Sequence, residues 1–291
     1  MKTVFRLNLK ALLSGIRAYV YTALTLLIFA LFVARYNLDG GLPNFEYSLE
    51  LLTLPTLLIL PILVSDIFSG SSARGFDAML LSLGIREHSL LFGKLLARLA
   101  IFAPSFILMT IMPFVLYIFG TVNLAEAYAG LLGYLLFCIA IISVFVFIST
   151  LVRSTAISTA ICYAVSIAMY IFELLYAYVP RSVNISFLTL SVLVFALAFI
   201  VYLITNSEIF SVSLATVVEA ILLIFRFAFS SSFQKALPLV LKALAPRSSL
   251  TGFFYGLLDI GGILYLICFA AIFTIAALIT LEMRKYNGKE R

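Results

Sequence analysis

The chain has 291 residues, of which 64% are hydrophobic and only 11% are charged, with a net charge of +6. A soluble domain of this length carries about 25% charged residues, because polar side chains must cover its surface, so the composition excludes a water-soluble fold. Continuous apolar runs of about 20 residues recur, which is the length of a membrane-spanning helix, whereas the strands of a transmembrane β-barrel alternate apolar and polar positions. The sequence therefore predicts an all-α, polytopic membrane helix bundle.

Residues 1–17 predict an amphipathic helix that lies in the membrane surface. Phe5 and Leu9 fall on one side at helical spacing, and Lys2, Arg6 and Lys10 fall on the other. The alternative interpretation is a basic flank that only orients the first span.

Eight membrane spans are predicted, with six as the alternative, in a transmembrane domain over residues 18–281. An even number is favoured because the N-terminal flank and the tail, residues 282–291, are both basic and should lie on one side of the membrane. The expected spans are 18–33, 51–67, 95–119, 128–152, 156–178, 186–205, 209–229 and 253–281.

Basic residues are concentrated on one side of this topology. Of the 19 Lys and Arg residues, four lie in the N-terminal flank, four between Asp66 and Arg98, one at Arg153 and four in the tail. Lys and Arg mark the cytoplasmic side of a membrane protein. The chain is therefore expected in the cell membrane, with both termini and the segment between the second and third spans in the cytoplasm. The same rule accounts for the net charge, and the expected partner is the lipid bilayer rather than a nucleic acid.

The connection over residues 230–251 is expected on the extracellular side. Phe233, Leu237 and Leu241 share one helical face, and Lys235 and Lys242 share another, which predicts an interfacial or re-entrant helix. A plain loop is the alternative.

The sequence offers almost no catalytic residues. Its single histidine, His88, lies on a charged segment and cannot form the usual zinc site alone. The residues Gly93-Lys94 resemble the Gly-Lys near the end of a phosphate-binding loop motif. In that motif Ser or Thr follows and holds magnesium, whereas here Leu95 follows. We therefore expect neither an enzyme nor a protein that binds metal, a cofactor or ATP itself.

Four ionisable residues fall within or near the ends of the predicted spans. Such residues cost about 2.5–3.5 kcal/mol each on insertion scales and mark either a polar substrate path or a contact between helices. Water-accessible positions near span ends are the alternative, and they are favoured for Glu173 and Asp259. The four residues are Glu173, Glu219, Arg226 and Asp259.

Three stretches carry a resemblance to a known family. Residues 80–87 (LLSLGIRE) with 91–94 (LFGK), residues 147–154 (FISTLVRS) and residues 250–265 (LTGFFYGLLDIGGILY) resemble segments of ABC-2 type ABC-transporter permeases, in the branch that includes gliding-motility-type permeases. Phe76 and Gly84 stand where that family usually has Thr and Pro.

The resemblance implies a transport subunit with no ATPase of its own. Two permeases, either identical copies or a copy with a paralogue, would bind two separate ABC ATPase subunits that supply ATP hydrolysis, most often for export. Residues 66–94 would form the cytosolic coupling helix that contacts the ATPase. The alternative function is a secondary transporter or channel that works without an ATPase. The implied coupling residues are Arg74, Gly75, Asp77, Gly84, Arg86, Glu87, Gly93 and Lys94.

Overall fold

The computed structural model describes residues 1–120, 122–178, 187–188, 190–192, 194–195, 198, 208–228 and 239–289. Every regular element in this part of the chain is a helix, which confirms the predicted all-α class. The chain divides into two compact units, one made of residues 1–168 and 246–291 and the other of residues 169–245.

The helices are numbered here in chain order. The first group is α1 (Lys2–Leu13), α2 (Ile16–Phe32, continued by a π-helical stretch, Val33–Asp39), α3 (Phe45–Val64), α4 (Ser71–Ser82), α5 (Glu87–Phe119), α6 (Leu124–Leu151) and α7 (Thr155–Tyr178). The second group is α8 (Glu208–Ala228), a 3₁₀ turn (Pro246–Ser249), α9 (Thr251–Phe254) and α10 (Ile260–Lys289).

Six of the described helices are long and apolar enough to cross a membrane, so the protein is a multi-pass membrane protein. Five of them match the first five predicted spans, and α10 matches the last. The spanning segments are Ile16–Asp39, Phe45–Val64, Glu87–Ile118, Leu124–Leu151, Thr155–Tyr176 and Ile260–Met283.

The two additional spans of the eight-span prediction have different outcomes. The sixth, residues 186–205, lies mostly outside the described residues. The seventh, residues 209–229, coincides with α8, whose apolar part Ala215–Ile224 is shorter than a spanning segment among the described residues. The six spanning helices agree with the alternative count.

Helix α6 forms the core of the first unit. In its most apolar stretch 72% of the residues are buried, against 17% in α10. Because α6 is apolar on every side, it can pack against α3, α5, α9 and α10 at once. Its Tyr134 hydroxyl shares a hydrogen bond of 2.7 Å with Thr56 Oγ1 of α3, which satisfies both buried groups.

The N-terminal helix packs against the start of α5. Val4 is fully buried, and a Cβ atom added at Gly93 would lie 2.9 Å from the Val4 side chain. The prediction of one helix over residues 1–17 was wrong at its end, because α1 stops at Leu13 and Arg17 belongs to α2.

The third span begins at Glu87 rather than at residue 95. The sequence-based boundary left Lys94 outside the span and placed Arg98 inside it. In the structure both residues lie within the helix, where they are buried against carboxylates of the same unit. The charges therefore point into protein rather than into lipid.

The last span begins at Ile260 rather than at residue 253. Residues 251–254 form the separate helix α9, and Gly256 follows it with φ of +72°, a conformation that favours glycine and ends the helix. Asp259 then precedes α10, which continues to Lys289 through the described part of the tail. Within the predicted interfacial segment, residues 239–244 are helical and residues 230–238 lie outside the described part.

Candidate functional site at the junction of α3 and α4

The chain leaves its second span through a short irregular segment, Ser65–Gly70, which is called the junction loop here. Irregular backbone close to a membrane requires partners within the protein for its polar groups. Five side chains around the loop carry charge and form the junction cluster. The junction cluster consists of Arg17, Asp66, Asp77, Lys94 and Arg98.

The end of α6 binds the backbone of the junction loop. The N–H groups of Phe68 and Ser69 both donate to Ser149 Oγ, at 2.9 and 3.2 Å. The N–H of Gly70 donates to the carbonyl of Arg153 at 3.0 Å. Three consecutive amides are thereby satisfied by residues about eighty positions away, which fixes the loop to the far end of α6.

The start of α7 binds the other side of the loop. Ser158 Oγ donates to the Ser65 carbonyl at 2.7 Å, and Thr159 Oγ1 donates to Ser65 Oγ at 2.8 Å. Ser69 Oγ donates to the same Ser65 carbonyl at 2.8 Å, which closes the loop on itself. The loop is therefore held between α6 and α7 by direct hydrogen bonds.

Asp66 joins two helices electrostatically. Its carboxylate accepts from Arg17 of α2 and from Arg98 Nη2 of α5, the latter at 3.0 Å. Arg98 is buried, whereas Arg17 remains 54% exposed. Two guanidinium groups thus share one carboxylate at the ends of the spans.

Lys94 joins α5 to α4 and to the junction loop. Its Nζ lies 2.6 Å from Asp77 Oδ1, donates to the Ile67 carbonyl at 2.8 Å and sits 4.4 Å from the centre of the Phe68 ring. The side chain is only 3% exposed. A buried ammonium group costs several kcal/mol unless it is paired and hydrogen-bonded, and here both conditions are met.

Helix α4 has an attached face and an exposed face. Asp77 and Leu80 are buried on the side of the bundle, while Gly75 and Met79 are exposed on the other side. The helix starts after Gly70, with φ of +91°, and is followed by Gly84, with φ of +82°. Both conformations favour glycine, which explains the two glycines that delimit this element.

The eight predicted coupling residues differ in their exposure. Asp77, Gly93 and Lys94 are buried within the bundle, and Arg74 lies on α4. Glu87 is half-buried at the first turn of α5. The exposed residues are Gly75, Gly84 and Arg86.

The second unit contains three of the four predicted intramembrane ionisable residues. Glu173 lies half-buried on α7. Glu219 of α8 accepts a 2.6 Å hydrogen bond from Ser191 Oγ, and the Arg226 guanidinium lies 4.8 Å from the centre of the Phe187 ring. Each of these two α8 residues is thus held by a neighbouring part of the same unit.

Asp259, the fourth of these residues, is exposed just before α10. Its carboxylate accepts the N–H of Gly261 at 2.9 Å. This bond satisfies one of the free amides at the start of a helix, so Asp259 stabilises the helix end. The interpretation of Asp259 as a residue near a span end agrees with this position.

Sequence analysis did not single out Arg17, Asp66, Arg98 or Ser149 as parts of one site. Asp66 is 49 positions from Arg17 and 32 from Arg98, so no local pattern links them. The sequence did offer one indication of the site. Charged residues are scarce in this chain, and a carboxylate directly after an apolar span, such as Asp66, needs a cation nearby. The pairing itself depends on helix packing.

The described residues hold no group of three or more His, Cys, Asp or Glu side chains placed to bind a metal ion. Comparisons with protein-family models, with curated proteins and with solved structures gave no match for this chain. The functional argument therefore depends on the geometry of the junction.

Proposed function

We propose that this protein is the membrane-spanning permease subunit of an ABC-2 type ABC transporter. It moves its substrate, in the export direction, with energy from ATP hydrolysed by a separate ATPase subunit. The protein has no catalytic site of its own. In this proposal it lies in the cell membrane with both termini and α4 in the cytoplasm, and it pairs with a second copy or a paralogue.

The observation that carries the proposal is the attachment of α4. Its inner face is tied to α5 through Asp77 and Lys94, and the junction loop before it is tied to α6 and α7 through Ser149, Ser158 and their neighbours. A force applied to α4 therefore reaches three spans without being absorbed by a loose linker. Movements of packed elements as rigid bodies are a common way to couple distant sites.

The outer side of α4 and the turn after it supply the contact surface for the ATPase. This surface comprises the exposed residues Gly75, Met79, Leu83 and Arg86, and it is called the outer α4 surface here. It combines apolar contact area with a cation, which suits a shallow cleft on a soluble partner. Of the coupling residues implied by the family resemblance, the buried ones act by holding α4 in place.

The test is whether the tagged chain, purified from its native membrane, brings with it an ATPase that carries a phosphate-binding loop, comparing the wild type with Arg86→Glu. Charge reversal in the outer α4 surface should reduce the recovered ATPase about tenfold, because like charges replace a complementary pair at a contact. The matched control is Arg35→Glu. Arg35 is also exposed, but it lies in the π-helical stretch that continues α2, at the opposite end of that span from the junction loop.

Equal recovery with Arg86→Glu and Arg35→Glu would contradict the coupling role of the outer α4 surface. Transport by the purified chain alone, driven by an ion gradient, would replace the proposal with the alternative of a secondary transporter or channel.

A further inference from the structure

A cleft opens between α2, α3 and the start of α7, all within the first unit. Its volume is about 570 Å³, enough for a phosphate-bearing headgroup together with part of a hydrocarbon chain. The polar residues that line it are Arg17, Ser65, Thr155, Thr159 and Tyr163, and the apolar ones include Ile62 and Ala160.

The cleft adjoins an excess of positive charge. Within the junction cluster Lys94 is matched by Asp77, but Arg17 and Arg98 share the single carboxylate of Asp66. Arg98 Nη1 is buried and has no hydrogen-bond partner among the described residues. One positive charge is therefore left without a counter-ion close to a low-dielectric interior, where an added anion is attracted more strongly than in water.

The lining also offers unused hydrogen-bond donors. Ser65 Oγ and Thr159 Oγ1 already share a hydrogen bond of 2.8 Å, and Thr159 Oγ1 also lies 2.8 Å from the Thr155 carbonyl. Neither the Thr155 nor the Tyr163 hydroxyl has a partner among the residues that the structure describes. Two unpartnered hydroxyl groups and a half-exposed guanidinium line one space, and phosphate oxygens accept bonds from both kinds of donor.

The cleft lies at the level where a bilayer places its headgroups. Arg17 is the second residue of α2, Ser65 directly follows α3, and Thr155 is the first residue of α7, so the polar lining marks the ends of three spans. Further along α7, Ile157 and Ile161 are exposed and apolar. A ligand in the cleft thus meets a cation at one end and a hydrocarbon-compatible surface at the other.

We propose that this cleft binds the phosphate of an anionic phospholipid from the adjacent leaflet. Arg17 and the hydroxyls of Thr155 and Tyr163 hold the phosphate, and the acyl chains follow α7 into the bilayer. The inference stands apart from the proposed transport function, because it requires only a chain that spans the membrane.

The experiment measures lipid binding to the purified full chain in detergent by native mass spectrometry. Phosphatidylglycerol and phosphatidylcholine of equal chain length are the two probes. The wild type should bind phosphatidylglycerol about tenfold more tightly, and Arg17→Gln should lose most of this preference, because a charge-assisted hydrogen bond is removed. Arg6→Gln is the matched control, since Arg6 is exposed on α1 and lies outside the cleft.

A second variant keeps the test valid if loss of the Arg17–Asp66 pair impairs folding. Thr155→Val with Tyr163→Phe removes two hydroxyls, preserves shape and leaves Arg17 in place, and it should weaken phosphatidylglycerol binding about threefold to tenfold. Unchanged lipid preference in the correctly folded variants would overturn the proposal. Displacement of the lipid by inorganic phosphate as effectively as by short-chain phosphatidylglycerol would also overturn it, since the cleft would then bind a free anion.

Discussion

The two ends of the first unit are stabilised in different ways. At the junction end, buried charges and hydrogen bonds hold an irregular loop, with Lys94 only 3% exposed. At the opposite end, Phe253 of α9 packs into the space left by Gly133 of α6, and a partly exposed ion pair joins Arg247 to Glu50 at 3.4 Å. The junction end thus depends on buried ion pairs, whereas the opposite end combines close apolar packing with neutral hydrogen bonds, such as those of the buried Asn37 with the Leu42 carbonyl and with Ser48.

Because of this difference, substitutions at the two ends should lower the stability of the protein by different amounts. A buried ion that loses its partner retains its desolvation cost, so substitutions at the junction end should have large effects. An exposed pair is worth about 0–1 kcal/mol, and packing can relax, so the opposite end should tolerate more change.

The largest loss is expected for Lys94→Met. The substitution removes the ammonium group from Asp77 and from the Ile67 carbonyl, so the free energy of unfolding should fall by about 3–5 kcal/mol. Thermal unfolding in detergent, followed by circular dichroism, measures the change. The double variant Lys94→Met with Asp77→Leu should recover more than half of the lost free energy of unfolding. If the losses of the two single variants simply add in the double variant, Lys94 and Asp77 do not act as a pair.

At the opposite end, Gly133→Ala is the corresponding packing test. A Cβ atom there would lie 2.7 Å from the Phe253 ring, so overpacking should cost about 1–3 kcal/mol. Adding Phe253→Leu should restore part of the loss, because the smaller side chain makes room for the new methyl group. If the double variant is less stable than Gly133→Ala alone, the contact with Phe253 is not the cause of the loss in unfolding free energy. Both are read from the same unfolding curves.

A smaller, local effect is expected for Ser149→Ala. The amides of Phe68 and Ser69 lose their shared acceptor, which should destabilise the junction by about 1–3 kcal/mol. Hydrogen–deuterium exchange at these two amides should accelerate by about tenfold or more. Ser143→Ala is the control, since among the described residues the Ser143 hydroxyl bonds only to the Ile139 carbonyl of its own helix. Similar exchange rates at these amides in the two variants would argue against the role of Ser149 in holding the junction loop.

The weakest effect is expected for Arg247→Gln. The ion pair of Arg247 with Glu50 is long and partly exposed. The buried Thr53 hydroxyl, which accepts the 2.6 Å bond from Arg247 Nε, still donates to the Glu50 carbonyl when that bond is lost. The free energy of unfolding should fall by about 1 kcal/mol or less. A loss as large as that of Lys94→Met would mean that the two ends do not differ in the way described.

The sequence was sufficient to predict the class of fold and the positions of the spanning helices, because runs of about 20 apolar residues can only be buried in lipid or protein. It failed at span ends: Lys94 lies inside α5, although the predicted span began at residue 95, and the burial of both Lys94 and Arg98 was not foreseen. Their burial depends on carboxylates brought from α4 and the junction loop. Hydropathy along one segment carries no information about such pairs.

The candidate site was predicted in part. The polar segment between the second and third spans was recognised from its glycines and charges, and α4 with its flanking Gly70 and Gly84 lies within it. The attachment of this segment to α6 and α7 was not foreseen, since Ser149 and Ser158 are ordinary residues of apolar helices until packing places them beside the loop.

The central claim is that the outer α4 surface faces the cytoplasm and contacts an ATPase. Leu83, which is 71% exposed directly after α4, offers the most direct test through Leu83→Cys and a membrane-impermeant maleimide. We expect labelling in inverted vesicles, protection when the ATPase is bound and no labelling in intact cells. Labelling from the outside of intact cells, or labelling in vesicles that the ATPase leaves unchanged, would contradict the claim.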